Sequence, residues 1–354
     1  MTSVPPPPSA QWQLAFLGKL QRLFSEGDFT ATYKFALLMA LADLAVEQGT
    51  DDGSELALTV RQIAERFVQM YWCHAAPYNG MGDGAVQGVL VQNRGTQAAV
   101  VSAILQFRAR SGARTLQQAK AVGAYAELLS EVAKTVAAQP LAYMQNFGGV
   151  EDQFLYERRS RGVVVLKEYV AYCLRRFHPL VQQLARGHWV GHIKANRLNH
   201  TLLGDAGDLE DFLFGSSRQS LAVVGEGLRK LDGARCFYCG HAMVGADVDH
   251  FVPFALYPRD MAHNFVLAHP QCNRSKSDSL AGKQHLERWV QRLTHKSAQL
   301  QEIGARAGMV ADAHTTRRVA AWGYGNGYQS GSRAWLKAAR YEAIDLEYLA
   351  CLAA

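Results

Sequence analysis

The sequence has no long hydrophobic run. Its longest, Phe35 to Ala42, is closed at once by Asp43, far short of the roughly 20 apolar residues that a membrane-spanning helix needs. Cysteine is scarce as well: six residues in a chain of 354 exclude a disulfide scaffold. Cys73, Cys173 and Cys351 stand alone, which fits a reducing, cytoplasmic setting. Of ten prolines, four form the run Pro5 to Pro8, and no basic segment followed by an apolar one opens the chain. No secretory leader is therefore expected, and residues 1–10 read as a flexible tail. Also missing is a Gly-Lys-Ser/Thr ending to the glycine-rich stretch Asn79 to Gly95, so that stretch reads as a mobile loop rather than a phosphate cradle.

What is present is enough apolar material for real cores. The chain is 49% hydrophobic and 10% aromatic, with a net charge of +6, which excludes disorder throughout and suggests about two domains with a polyanionic partner. Apolar residues recur at three and four along Leu14, Leu17, Leu20 and Phe24, then Tyr33, Leu37, Ala40 and Leu44, so residues 11–150 read as a helical domain. Thr59 is placed to cap a helix carrying Ile63, Phe67, Met70 and Tyr71. Further helices are expected over 97–110 and 116–138, the second ending before Pro140.

Charge is uneven. From Arg158 to Arg197 there are nine Lys or Arg against one acid, Glu168. Residues 151–217 read as a basic connecting region, with a buried strand at Val163 to Leu166 and a helix from Glu168 that Pro179 ends or kinks. Arg175 and Arg176 lie off that helix's apolar face. They are candidate phosphate contacts, with a plain solvated face as the alternative. In residues 286–354 helices are again expected, the last over Arg333 to Leu352. Between them Arg317 to Tyr328 mixes basic and aromatic residues with glycines, which suits either a packed loop or a surface for stacking bases.

The chemistry concentrates in residues 218–285. Cys236 and Cys239 at C-x-x-C, with His269 and Cys272 at H-x-x-C about thirty residues on, are two turns that each present a ligand pair to one tetrahedral ion, a structural zinc. His241 or His263 stands as an alternative fourth ligand, without the paired spacing. Between and after the pairs lie Asp249-His250 and Asn273. A carboxylate and an amide oxygen suit a hard cation, Mg²⁺ or Mn²⁺, and an imidazole beside it can deprotonate water near neutral pH.

The string from Cys236 to Lys276 resembles the HNH endonuclease family, in the variant that ends in Asn. The two ligand pairs, Asp249-His250-x-x-Pro253, Asn264-Phe-Val-Leu267 and Cys272-Asn273-x-x-Lys276 appear in family order over about 45 residues. The resemblance implies a ββα-metal fold and hydrolysis of DNA phosphodiesters to 5′-phosphate and 3′-hydroxyl ends, with RNA left open as a substrate. It implies His250 as general base, Asp249 and Asn273 as metal ligands, and Asn264 as the residue that braces the loop. Arg274, Lys276 and Lys283 are candidates to hold flanking phosphates, with surface charge the alternative for Lys283. His269 stands where the family usually has cysteine, which makes the zinc site more acid-labile.

The fold class expected is thus mainly α with a small α+β module: a helical N-terminal region, an HNH module with a zinc knuckle, and a helical C-terminal region. The alternative function is a zinc-stabilised nucleic-acid-binding or scaffolding protein without turnover. By architectural analogy alone, partner proteins of a bacterial defence or restriction complex are expected.

Overall fold

The computed structural model describes residues 5–78, 87–160, 162–203, 209–215 and 217–353. The chain divides into two compact units, 1–215 and 216–354. Both are mainly helical with small sheets. Among the described residues no helix is long and apolar enough to cross a membrane.

The first unit is built around the helix Tyr33–Gln48, in which every residue but Gln48 is buried. Such a helix needs neighbours on all sides, and it has them in Val60–His74, Val170–Arg176 and His178–Ala195. Polar groups on a fully buried helix need partners too. Asp43 Oδ1 accepts from His178 Nε2 at 2.9 Å and from Gln182 Nε2 at 2.8 Å. Glu47 pairs with Arg66.

Thr59 caps Val60–His74 in a capping box with Gln62, which satisfies two N–H groups that the first turn leaves open. Just before it, Leu56–Thr59 forms a short strand that the helical reading of 11–150 did not anticipate. It pairs antiparallel with Val163–Leu166, which also pairs with Tyr156–Ser160, giving a three-stranded sheet in the order Leu56–Thr59, Val163–Leu166, Tyr156–Ser160. The strands of 156–166 thereby pack within this unit, which extends to residue 215. Pro179 stands in the first turn of His178–Ala195, after a break at Phe177.

The helix expected over 116–138 is two, Leu116–Lys120 and Tyr125–Ala138, separated by a turn through Gly123. The tail differs from expectation beyond residue 4. Pro5 carbonyl accepts from Gly53 N at 3.0 Å, and Pro8 is buried with its carbonyl accepting from Gln13 Nε2. Residues 1–4, and 79–86 of the expected glycine loop, lie outside the described residues.

In the second unit Arg218–Asp232 is followed by a two-stranded antiparallel hairpin, Asp247–His250 with Phe265–Ala268, and by the helix Pro270–Lys276. Helices Lys283–His295, Ser297–Ala307 and Ala313–Gln329 come next. Ala313–Gln329 covers the stretch expected as a loop. Its glycines are spacing devices: a Cβ at Gly323 would press on Leu256, and one at Gly327 on Ile344. Trp322 and Tyr324 are buried, and Tyr324 hydroxyl donates to Ala281 carbonyl at 2.7 Å, so neither offers a face for base stacking.

The final helix is short. Arg333–Lys337 and Arg340–Ala343 form a hairpin, and only Leu346–Ala353 is helical. Trp335 N donates to Leu280 carbonyl and Gly282 N to Trp335 carbonyl, both at 2.7 Å. These tertiary bonds hold the strand against its local helical preference.

Arg175 is a correction. Its side chain is 6% exposed; Nε donates to Asp51 Oδ1 at 2.8 Å, and Nη1 to Ala45 and Val46 carbonyls at 3.1 and 2.8 Å. It closes the C-terminal end of the central helix, and its guanidinium is committed to protein groups. Arg176 is half-buried. Arg175→Ala should lower the stability of the first unit by about 3 kcal/mol, because it removes a buried guanidinium from the Val46 carbonyl and from Asp51. A phosphate-contact role predicts instead an unchanged urea midpoint.

Candidate metal centre and the hairpin beside it

Four donor atoms converge in the second unit: Cys236, Cys239, His269 and Cys272, all within 4.8 Å of one another. A tetrahedral ion with Zn–S near 2.3 Å and Zn–N near 2.1 Å holds its donors about 3.5–3.8 Å apart, so one such ion fits this group. Local backbone builds the first pair. Gly240 N donates to Cys236 carbonyl at 2.9 Å, Cys236 N donates to His241 carbonyl at 2.9 Å, and Gly240 takes φ +75°, a conformation that glycine supplies without strain. The second pair sits at the start of Pro270–Lys276, with His269 as its N-cap residue.

His269 takes the fourth position of the group. Its Nε2 lies 3.2 Å from Ala242 carbonyl, which turns Nδ1 toward the cluster, 3.2 Å from Cys239 Sγ. His241 is exposed, and His263 is buried with Nε2 against Ser297. Neither belongs to the group.

The thiols are set against one another. Burial opposes the Cys236 thiolate, but N–H groups of Cys239, His269 and Tyr238 outweigh it and bring the thiol down to about 7. Burial first, then the thiols of Cys236 and Cys239, push Cys272 up to about 12. Three thiolates in one place need a cation, so metal uptake releases protons.

The hairpin places the other expected residues. Strand neighbours face opposite ways, and here Asp247 and Asp249 face the helix Pro270–Lys276, whereas His250 faces away. Asp249 is buried: Tyr238 hydroxyl donates to its Oδ2 at 2.5 Å, and Lys276 Nζ lies 3.2 Å from Oδ2 and 3.4 Å from Oδ1. Lys276, wholly buried, also donates to His250 carbonyl at 2.8 Å. It binds protein and not phosphate, a second correction. Burial lowers the Lys276 pKa, and Asp249 works against that. Asn273 Nδ2 donates to Asp247 Oδ2 at 3.1 Å. Arg274 is exposed.

Asn264 braces the turn after His250: its Oδ1 accepts from Val252 N at 2.8 Å and its Nδ2 donates to Val252 carbonyl at 2.9 Å. The imidazole of His250 packs on Phe254 and Phe265, with Nε2 2.9 Å from Asp260 Oδ1. The structure thus joins Asp249 to Lys276, Asn273 to Asp247 and His250 to Asp260. Asp247, Asp260 and Tyr238 are additions that the sequence reading did not single out. Asp247 is visible in the alternation Asp-Val-Asp-His, but nothing in the spacing marks Asp260.

Cys236→Ser should abolish stoichiometric metal, about one ion per chain in the parent. It should also lower the Tm of the second unit by about 10 °C. Elemental analysis and calorimetry check both, and unchanged metal content would refute the centre.

No curated protein and no solved structure matches the chain. One family model does, over residues 14–213, more than half of the 354. These residues lie within the first unit, and the four residues of the candidate metal cluster belong to the second. The chain accordingly belongs to the family described as a domain of unknown function, DUF8808.

Proposed function

We propose that the second unit is a metal-dependent endonuclease module of HNH type that hydrolyses DNA phosphodiesters, with zinc in the Cys3His cluster as its structural brace. The observation that carries this reading is the placement of Asp249, His250, Asn264 and Asn273 on one hairpin and the helix after it, beside that cluster. A binding module needs the brace but has no use for the other four together.

The donor set suits a hard divalent cation. Asp247 and Asp249 carboxylates and the Asn273 amide oxygen are hard ligands. The ammonium of Lys276 already holds a positive charge on Asp249, as a stand-in for a cation. Asp249 and Asn273 would hold Mg²⁺ or Mn²⁺, which when bound stabilises charge on the phosphate. The rest falls to this chain's own side chains. Asp260 on Nε2 fixes the His250 tautomer, leaving Nδ1 as the free base that takes a proton from water. Asn264 holds the backbone after His250 in register, so the imidazole is aimed by the loop as well as by Asp260.

A non-catalytic nucleic-acid-binding module is the second reading, favoured by the neutralisation of Asp249 by Lys276. Plasmid cleavage in Mg²⁺ or Mn²⁺ separates the two. His250→Ala should keep its zinc and lose at least about 100-fold in rate, and Asp260→Asn should lose about 10-fold. Equal cutting by parent and His250→Ala, or none by the parent, would sink the catalytic reading.

A further inference from the structure

The helix Lys283–His295 carries Arg288, Arg292 and His295 at spacings of four and three, which puts them along one side. With Arg235, Lys296 and Asp232 they line a hollow of about 340 Å³ whose apolar floor includes Phe237 and Leu267.

The one carboxylate in this lining is already used. Asp232 Oδ2 accepts from Arg292 Nε at 2.9 Å, and its Oδ1 accepts from Lys296 Nζ at 2.8 Å. The other acidic group, the Cys236 thiol, belongs to the candidate metal cluster, where a bound cation would answer its charge. The hydrogen bonds of Arg235 and Arg288 go only to uncharged groups. Arg235 Nη1 donates to Gly240 carbonyl at 3.2 Å; Arg288 Nη2 donates to Tyr238 carbonyl at 3.1 Å and lies 2.5 Å from His285 Nδ1, while its guanidinium stands 5.4 Å from the Phe237 ring centre. Neither makes an ion pair among the described residues. The hollow therefore presents positive charge with no acid of its own left to neutralise it.

The hollow is also rigidly built. Arg292 has a side chain only 5% exposed, and its Nη1 donates to Phe265 carbonyl at 3.0 Å. Phe265 is the register partner of His250 across the hairpin. Phe237 N donates to Leu267 carbonyl at 2.8 Å, which fastens the floor to the same strand. A helix rises about 1.5 Å per residue, so Arg288 to His295 spans about 10 Å, the axial length of about three successive phosphates of one DNA strand.

We propose that this hollow grips the phosphodiester backbone of duplex DNA, with Arg235 and Arg288 as its exposed phosphate contacts and Arg292 as the buried post that ties it to the hairpin. The ligand class rests on the nuclease reading; the site does not. A mixed-sign lining would suit a peptide, but the surplus here is of one sign and follows a straight helical edge, which suits a regularly charged polyanion.

The experiment is fluorescence anisotropy with a labelled 20-base-pair DNA duplex in EDTA, over a salt series, so that binding is read without cutting. Arg235→Glu/Arg288→Glu should weaken binding at least tenfold. The neutral pair Arg235→Gln/Arg288→Gln should reduce the slope of log affinity against log salt by about 2, one step per lost phosphate contact, with zinc content unchanged as the control for folding. His250→Ala should bind like the parent. Parental affinity and slope in both double variants would overturn the proposal, and so would tighter binding of an RNA duplex of equal length. Weakened binding in the variants of a protein that does not cut would leave this site standing while the catalytic reading fell. Unchanged binding in variants of a protein that does cut would do the reverse.

Discussion

One buried ion pair organises the second unit. Lys276 lies under the hairpin with its ammonium on Asp249 and on the carbonyl of His250. An isolated charge in such a place costs several kcal/mol, so neither partner can be kept without the other. The consequence is geometric. The helix Pro270–Lys276 is locked at its far end by this pair and at its near end by His269 and Cys272 in the metal cluster. Asn273, between the two locks, has little choice about where it points. The same pair leaves Asp249 electrically satisfied without any metal, so a divalent ion there must compete with an ammonium that is already in place.

The parts that were legible in the sequence are those whose information is local or strictly spaced. Two turns with paired ligands specify a tetrahedral cluster whatever surrounds them, and Cys236, Cys239, His269 and Cys272 meet accordingly. Thr59 with Gln62 is a cap written in four residues, and the apolar run Val163–Leu166 is a strand too short to be anything else. The misread parts depend on distant partners. Arg175 and Lys276 carry the charge of surface residues, and only the three-dimensional arrangement of Asp51 or Asp249 makes burial favourable. Arg333–Ala343 has the composition of a helix, yet bonds from Leu280 and Gly282 draw it into a strand. Ala313–Gln329 has the glycines of a loop, yet Leu256 and Ile344 occupy the space that side chains would need.

His250 belongs to both groups. The pair Asp249-His250 is plain in the sequence, but alternation along a strand sends the two side chains to opposite faces. The imidazole's partner, Asp260, lies ten residues on in an irregular loop. The imidazole, its side chain 16% exposed, is held between Phe254 and Phe265 on one face, whereas the Asp249 carboxylate lies on the other against Lys276. The hairpin thus keeps these two side chains on separate faces of one ribbon.

The first unit bears on a different matter, the order in which the chain can fold. Leu56–Thr59 is bonded to Val163–Leu166, and the helix Tyr33–Gln48 is covered in part by His178–Ala195. These contacts close very long loops, and loop closure slows folding more than it weakens the folded state. On a ribosome the central helix is made early and then waits, with apolar surface on every side, until residues beyond 190 have emerged. The fully buried helix that gives this unit its core is therefore also its period of greatest exposure to aggregation, and the charges of Asp43 and Glu47 within it keep that waiting segment in water.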